Sequence, residues 1–246
     1  MISCIVTACP HLKSFRINND SKKISEKAFI QIVDSLTDME CFFVQANDLA
    51  SPKEILAKLI NRNPHLKILK WCDYAHFDEL DYMLLAQLPC LTSLDLRLDH
   101  LHHDINPLDV IVKSCPQLEH LSIKCDNYSM QSIAPLAHLT NLTSLALDGY
   151  FDVNPTVIET ILNNNSHLEQ LTIKIAQPLS RESLELMAQK ISQHKNIREF
   201  VLQYYENKDL PAQLVSDAHF RELVSRAPLL EKITLPSQNI KISLAH

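Results

Sequence analysis

The sequence predicts an α/β fold built as a solenoid, in which strand–loop–helix–turn units stack so that their strands form one parallel sheet. A triplet of apolar anchors with the spacing apolar-x-x-apolar-x-apolar recurs nine times, at intervals of 24 to 33 residues. Between the triplets, apolar residues follow the 3.6-residue period of an amphipathic helix. A single unit cannot bury its own apolar face, so successive units must pack against one another.

Each triplet predicts one short strand. Its second and third anchors are two residues apart and therefore point to the same side of that strand, toward the core. The residue between them, and those directly before and after them, point outward. In chain order the triplets are Leu12-Phe15-Ile17, Met39-Phe42-Val44, Leu66-Leu69-Trp71, Leu91-Leu94-Leu96, Leu118-Leu121-Ile123, Leu142-Leu145-Leu147, Leu168-Leu171-Ile173, Ile197-Phe200-Leu202 and Leu230-Ile233-Leu235.

The segments between the triplets predict helices. Their apolar residues recur at helical spacing around residues 28–36, 55–60, 110–111, 157–162 and 184–191. Pro52, Pro107 and Pro155 lie near the starts of such segments, where a missing N–H costs little. Other prolines follow the segments and help to end the helices: Pro10, Pro64, Pro89, Pro116 and Pro228.

The composition disfavours many enzyme classes. Gly149 is the single glycine, so the GxGxxG and GxxxxGK phosphate loops and the GxSxG nucleophile elbow are absent. The seven cysteines are scattered and form no CxxC pair, which indicates reduced thiols rather than a disulfide framework or a zinc ribbon. We therefore expect a protein without catalytic activity and without a cofactor or metal.

Charge and hydropathy restrict the partners. A formal net charge of −6 argues against nucleic acid, and the sequence has no run of about 18 apolar residues that could span a membrane. The apolar first residues lack the basic region of a signal peptide. These features predict a cytoplasmic protein, or one secreted into a host cytoplasm without a cleavable signal.

The LxxLxLxxNxL segment of the leucine-rich repeat family is matched most fully at Met39-Phe42-Val44-Asn47-Leu49. Two Cys-Pro-x-Leu phrases, at 9–12 and 115–118, are similar to those in the repeats of F-box substrate receptors. From about residue 10 to 240 the chain resembles the ribonuclease-inhibitor and cysteine-containing subtypes of that family. The resemblance implies a horseshoe of about nine repeats with a concave parallel sheet and convex helices, and a role in protein binding.

We expect residues 1–246 to form one leucine-rich repeat domain. Residues 1–10 predict an N-terminal capping helix or the remnant of a preceding repeat, and 236–246 form the C-terminal end. Irregular repeats with Lys well above Arg look similar to effectors that intracellular bacteria deliver into host cells. A plain intracellular adaptor or a truncated receptor subunit is the other interpretation.

The outward strand positions are the candidate surface for a protein partner. Six cations and three acids occupy these 27 positions, a balance opposite in sign to the whole chain. That asymmetry suggests a partner with an acidic surface, steered by charge; the alternative is sampling variation. The outward residues predicted to contact the partner are Arg16, Phe43, Lys70, Asp95, Arg97, Lys124 and Lys174.

Tyrosines form a second set of candidates. Tyr74, Tyr150 and Tyr205 stand where the leucine-rich repeat pattern has its asparagine, with Phe77, Phe151 and Tyr204 close by. If these side chains line the edge where the strands end, they are candidate interface anchors, because aromatics dominate binding hot spots. The alternative is that they fill the loop core, as buried aromatics commonly do.

The competing functional hypothesis rests on the loop from Asp99 to Asp104, which contains His100, His102 and His103. Imidazoles and carboxylates are metal ligands, so this loop could belong to a metal-binding protein or an enzyme. Adjacent residues on one loop cannot all converge on one ion, and no matching cysteine spacing lies beside them. A solvated loop is therefore the favoured interpretation.

Overall fold

A computed structural model of the chain describes residues 9, 11–19, 25–46, 52–73, 83–98, 106–125, 131–176, 179–205, 227–235 and 240–243. Tyr74, Phe77, the histidine loop and most of the predicted N-terminal cap lie outside these residues. The chain divides into two compact units, residues 1–118 and 119–246. The single-domain organisation stays a prediction.

The first unit alternates strands with helical segments. In chain order these are β1 (Ser14–Asn19), α1 (Glu26–Ser35), β2 (Cys41–Ala46), α2 (Pro52–Arg62), β3 (Ile68–Asp73), a 3₁₀ turn (Leu85–Gln87), β4 (Ser93–Leu98) and α3 (Pro107–Ser114). Strands β1 to β4 pair in that order, and all pairs are parallel.

The second unit repeats the same alternation. Its elements are β5 (His120–Cys125), β6 (Gln131–Ser132), a 3₁₀ helix (Ala134–His138), β7 (Ser144–Gly149), β8 (Phe151–Asp152), α4 (Pro155–Asn164), β9 (Gln170–Ile175), α5 (Arg181–Gln193), β10 (Glu199–Tyr204), β11 (Lys232–Leu235) and β12 (Ile240–Ser243). Strands β5, β7, β9, β10 and β11 pair in parallel, and β6 pairs with β8. Strand β12, which the sequence did not predict, is antiparallel to β11.

Neighbouring parallel strands pair with equivalent positions opposite each other. Phe15 faces Phe42 and Phe42 faces Leu69, so each anchor packs on the anchor of the next strand. Nearly all described anchors are buried, including Trp71. The outward positions between them are partly or fully exposed from β1 to β9, whereas Val201 of β10 and Thr234 of β11 are buried. The predicted α/β fold with parallel strands and intervening helices is confirmed within each unit.

The type of helical segment between two triplets varies with the number of residues in that interval. The intervals of 26 to 29 residues that the structure describes contain α1 to α5, and the 29-residue interval contains the longest helix, α5. Within their described residues, the two shortest intervals, of 25 and 24 residues, contain the 3₁₀ segments Leu85–Gln87 and Ala134–His138, the first directly after two α-helical residues. A 3₁₀ turn completes its rotation with fewer residues, so it fits where the chain between two strands is short.

Two buried asparagines join successive turns. Asn63, directly after α2, accepts the N–H of Met39 at 2.8 Å and donates to Leu36 O and Leu59 O at 3.3 and 2.8 Å. In most described repeats the first anchor instead donates its N–H to the carbonyl three residues earlier. The Asn63 amide therefore supplies the partner that Met39 would otherwise lack.

Asn165 makes the same three bonds after α4. It accepts Leu142 N–H at 2.7 Å and donates to Leu139 O and Ile161 O at 2.8 and 2.9 Å. Two other repeats carry Cys115 and His194 at this position. The Cys115 thiol lies 3.8 Å from Leu85 O, and His194 Nε2 lies 3.0 Å from Asn165 O. One buried position thus links consecutive turns through three different side chains.

We expect Asn165→Ala to lower the free energy of unfolding by about 3 kcal/mol, because it leaves the buried Leu142 N–H and Leu139 O without partners. Asn164→Ala is the matched control. Its exposed amide makes a single bond, to Ala137 O, so its loss should cost about 1 kcal/mol or less. Urea denaturation measures both values, and equal losses would contradict the bridging role of Asn165.

His194 makes stability depend on pH. Burial lowers the pKa of His194 below its usual 6.5, and Nδ1 accepts the N–H of Asn196, an acceptor that protonation removes. The unfolded chain therefore binds this proton at a higher pH than the folded chain does. We expect stability to be complete above about pH 6.5 and to fall below it. His194→Asn, which carries the side chain found at 63 and 165, should flatten this part of the pH profile measured by denaturation; an unchanged profile would assign the dependence elsewhere.

Candidate protein-binding surfaces

Four outward residues of the first unit form a continuous line across β1 to β4, here called the arginine–phenylalanine row: Arg16, Phe43, Lys70 and Asp95. Arg16 Cζ lies 4.8 Å from the centre of the Phe43 ring, and Lys70 Nζ lies 5.7 Å from it. On its other side Lys70 approaches Asp95 Oδ2 at 3.9 Å. In-register pairing brings these predicted site residues together.

Ion pairs between neighbouring strands involve all three outward acids, and the excess of three outward cations is unchanged. Each of the three outward acids lies beside a lysine of a neighbouring strand, in the pairs Lys70–Asp95, Lys174–Asp148 and Lys232–Glu199. The other three outward cations are Arg16, Arg97 and Lys124. Arg97 follows Asp95 by two residues on the same face of β4, and Lys124 lies opposite Asp148 in the register of the second unit.

The second unit places four side chains together at the carboxyl ends of its strands, here called the tyrosine cluster: Asp148, Tyr150, Lys174 and Tyr205. The Tyr150 and Tyr205 rings stack with centres 6.5 Å apart and planes at 25°. The Tyr205 hydroxyl donates to Asp148 Oδ1, and Lys174 Nζ lies 3.7 Å from Asp148 Oδ2. Tyr205 is 40% exposed, so the cluster presents an aromatic surface to solvent.

The two tyrosines meet across an intervening strand. Tyr150 follows β7 and Tyr205 follows β10. Strand β9 lies between these two strands, and Ala176 follows it at the equivalent position. Strands two apart are separated by about 10 Å. A small residue between them leaves space for the rings to lean toward each other.

The aromatic residues of the second unit occupy two different environments. Phe151 is buried, and the Tyr204 hydroxyl accepts the N–H of Leu179 at 3.4 Å, with burial raising the pKa of Tyr204. Phe151 fills the interior, as the alternative interpretation predicts, and Tyr204 is half-buried. Tyr150 and Tyr205 instead stack at the surface.

Gly149 determines the position of the backbone next to the tyrosine cluster. It is the last residue of β7, has φ +141°, and pairs with Cys125 of β5. A Cβ at this position would lie 1.8 Å from Cys125 O. The close approach also lets Tyr150 N–H donate to that oxygen at 3.1 Å, which fixes the backbone on which the Tyr150 ring stands.

Asp148 joins the cluster although it is not among the predicted partner-contact residues. Its carboxylate accepts from Tyr205 and approaches Lys174, so it connects three strands. The available signal is positional: Asp148 is an outward residue two positions before Tyr150. That the Tyr205 hydroxyl would reach Asp148, 57 residues away in sequence, has no local signature.

Within the described residues, no three His, Cys, Asp or Glu side chains are placed to hold a metal ion. The histidine loop of the competing hypothesis lies outside them. The six cysteines in this part of the chain are free thiols, and burial raises the pKa of Cys115 to about 12. None of the helices in the described ranges has the length and apolar character needed to cross a bilayer.

Comparison with known proteins identifies no family for this chain. No family model matches the sequence, and no curated protein is similar to it. Among solved structures, the tropomodulin C-terminal domain of Caenorhabditis elegans aligns at 15% identity with a TM-score of 0.26, covering 78% of this chain and 90% of that one. A score this low carries no argument about fold or function, so both rest on the chain's own geometry.

We expect Gly149→Ala to destabilise the second unit by about 3 kcal/mol or more. The added Cβ meets backbone atoms of Cys125, and a φ near +141° is almost confined to glycine. Ala146→Ser, on an outward position of the same strand, should change stability by less than about 0.5 kcal/mol. Denaturation followed by tyrosine fluorescence measures both; a neutral Gly149→Ala would show that β7 does not need this close approach.

Proposed function

We propose that this chain is a non-catalytic protein-interaction module that binds a protein partner through the outward faces of its strands and through the tyrosine cluster. The proposal includes a leucine-rich repeat solenoid of about nine repeats with a concave sheet. The observation that carries it is the in-register arrangement of exposed cationic and aromatic side chains, above all the arginine–phenylalanine row.

The side chains involved are of the kind that dominate protein interfaces. Tyr and Arg are enriched among the residues whose truncation costs most binding energy, and Phe is enriched at interfaces generally. Here they stand on strands or directly after them, held by neighbours at fixed distances, which lowers the entropy lost on binding. A specific complex would bury about 1,200–2,000 Å² in total, which calls for contributions from many outward positions.

The cellular context is part of the proposal. Irregular repeats with few arginines favour an effector delivered by an intracellular bacterium and acting in the host cytoplasm. An intracellular adaptor fits the same surfaces. Both roles use the same property, a recognition face without chemistry of its own.

Site-specific photocrosslinking tests where the partner binds. A benzophenone side chain replaces Phe43 or Tyr205, and in a control variant it replaces Arg181, which is 74% exposed on α5. In lysate of the host type we expect a discrete crosslinked polypeptide from position 43 or 205 and none from position 181. Crosslinking from α5 alone would place the interface on the helices and contradict the proposal.

Charge reversal provides the quantitative test on the captured partner. Arg97, Lys124 and Lys174 change to Glu together, and we expect the affinity to fall at least about tenfold, because rim and face charges steer and orient the complex. Unchanged affinity would remove the sheet face from the interface. Circular dichroism checks that the triple variant keeps its fold.

A further inference from the structure

Arg16 differs from Lys70, the other cation of the arginine–phenylalanine row. Its guanidinium stands over the Phe43 ring, its side chain is exposed, and it pairs with no carboxylate among the described residues. Lys70, by contrast, shares its charge with Asp95 at 3.9 Å. Arg16 therefore presents an exposed guanidinium whose charge no carboxylate of the described chain compensates.

Phe43 orients this guanidinium. The ring lies between Arg16 on β1 and Lys70 on β3, so cations from both neighbouring strands approach it. A cation is attracted to the face of an aromatic ring, and this attraction restricts the positions that the long arginine side chain samples. A guanidinium held in this way loses less freedom when its N–H groups bind a planar anion.

The charge of the whole strand face favours an acidic ligand on the first unit. We count the outward positions together with the residue immediately before each strand. In the first unit these hold five cations against two carboxylates: Lys13, Arg16, Lys67, Lys70 and Arg97 against Glu40 and Asp95.

The same positions of the second unit carry the opposite balance. They hold four cations against five carboxylates: Lys124, Lys174, Arg198 and Lys232 against Glu119, Asp148, Glu169, Glu199 and Glu231. The acidic partner surface that the sequence suggests is therefore complementary to the first unit and not to the second.

We propose that the arginine–phenylalanine row binds a carboxylate side chain from an extended acidic segment of the partner protein, with Arg16 donating two parallel N–H bonds to it. The inference rests on the proposed function and names the chemistry that the first unit recognises. A carboxylate fits better than a phosphate, because Asp95 already offsets Lys70 and the remaining uncompensated charge of the row is that of one guanidinium.

Peptide binding tests this assignment on the full chain without the natural partner. The probes are three fluorescein-labelled peptides: eight glutamates, eight glutamines, and a phosphoserine peptide of equal net charge. Fluorescence anisotropy at low and physiological salt gives each affinity. We expect binding of the glutamate peptide, weaker at higher salt, with no measurable binding of the glutamine peptide.

Variants separate the site from general electrostatics. Arg16→Glu should weaken the glutamate peptide at least about tenfold. Lys27→Glu makes the same charge change on an exposed residue of α1 in the same unit and should stay within about twofold of the wild type. Arg16→Lys keeps the charge without the planar pair of donors and should lose about three- to fivefold.

Several outcomes would overturn the assignment. Equal losses for Arg16→Glu and Lys27→Glu would show nonspecific attraction, and tighter binding of the phosphoserine peptide would assign the row to phosphate instead. If position 43 crosslinks to a partner while Arg16→Glu leaves peptide binding unchanged, the proposed function stands and this inference fails. If the peptide requires Arg16 but no strand position crosslinks to a protein, the carboxylate site stands and the proposed function fails.

Discussion

In-register pairing of parallel strands is the constraint on which the rest of each unit depends. Because equivalent positions face each other, every repeat places its anchors on the anchors of the next, and its outward residues beside the next outward residues. The backbone continues the same order at the strand starts, where one carbonyl, such as that of Glu40, accepts two N–H groups of the following repeat. A row of side chains is therefore a property of the stack and not of any one strand.

The stacking of repeats also determines which groups form hydrogen bonds with the backbone of the turns. Each backbone N–H and C=O group of a buried turn needs a hydrogen-bond partner. Different repeats supply these partners in different ways. Some close the turn with their own backbone, while the turn before Met39 takes its partner from Asn63, one repeat later. The turn before Leu142 depends in the same way on Asn165. Buried amide side chains directly after the helices therefore couple the stability of consecutive repeats.

The sequence predicts what periodicity controls and misses what depends on distant pairs. A period of two placed the strands and their outward residues, and a period of 3.6 with flanking prolines placed the helices. Periodicity could not show that acids of neighbouring strands form ion pairs with Lys70 and Lys174, since those contacts depend on strand register and on the reach of the side chains. Periodicity also could not show that the Tyr150 and Tyr205 rings stack, because the two residues follow strands that are not neighbours in the sheet. Strand β12 was missed because it pairs antiparallel and lies outside the repeat.

The residues that hold the fold are mostly separate from those of the proposed binding surfaces. The buried anchors and turn amides hold the stack, whereas the outward positions are free to vary because changing them leaves the register intact. Gly149 is the clearest exception: its missing Cβ is required by the contact with Cys125, and it also sets the backbone beneath Tyr150. In a chain with one glycine, that residue lies where strand packing and the candidate surface meet. Arg16 is the opposite case, an exposed side chain whose replacement leaves the buried anchors of the sheet in place.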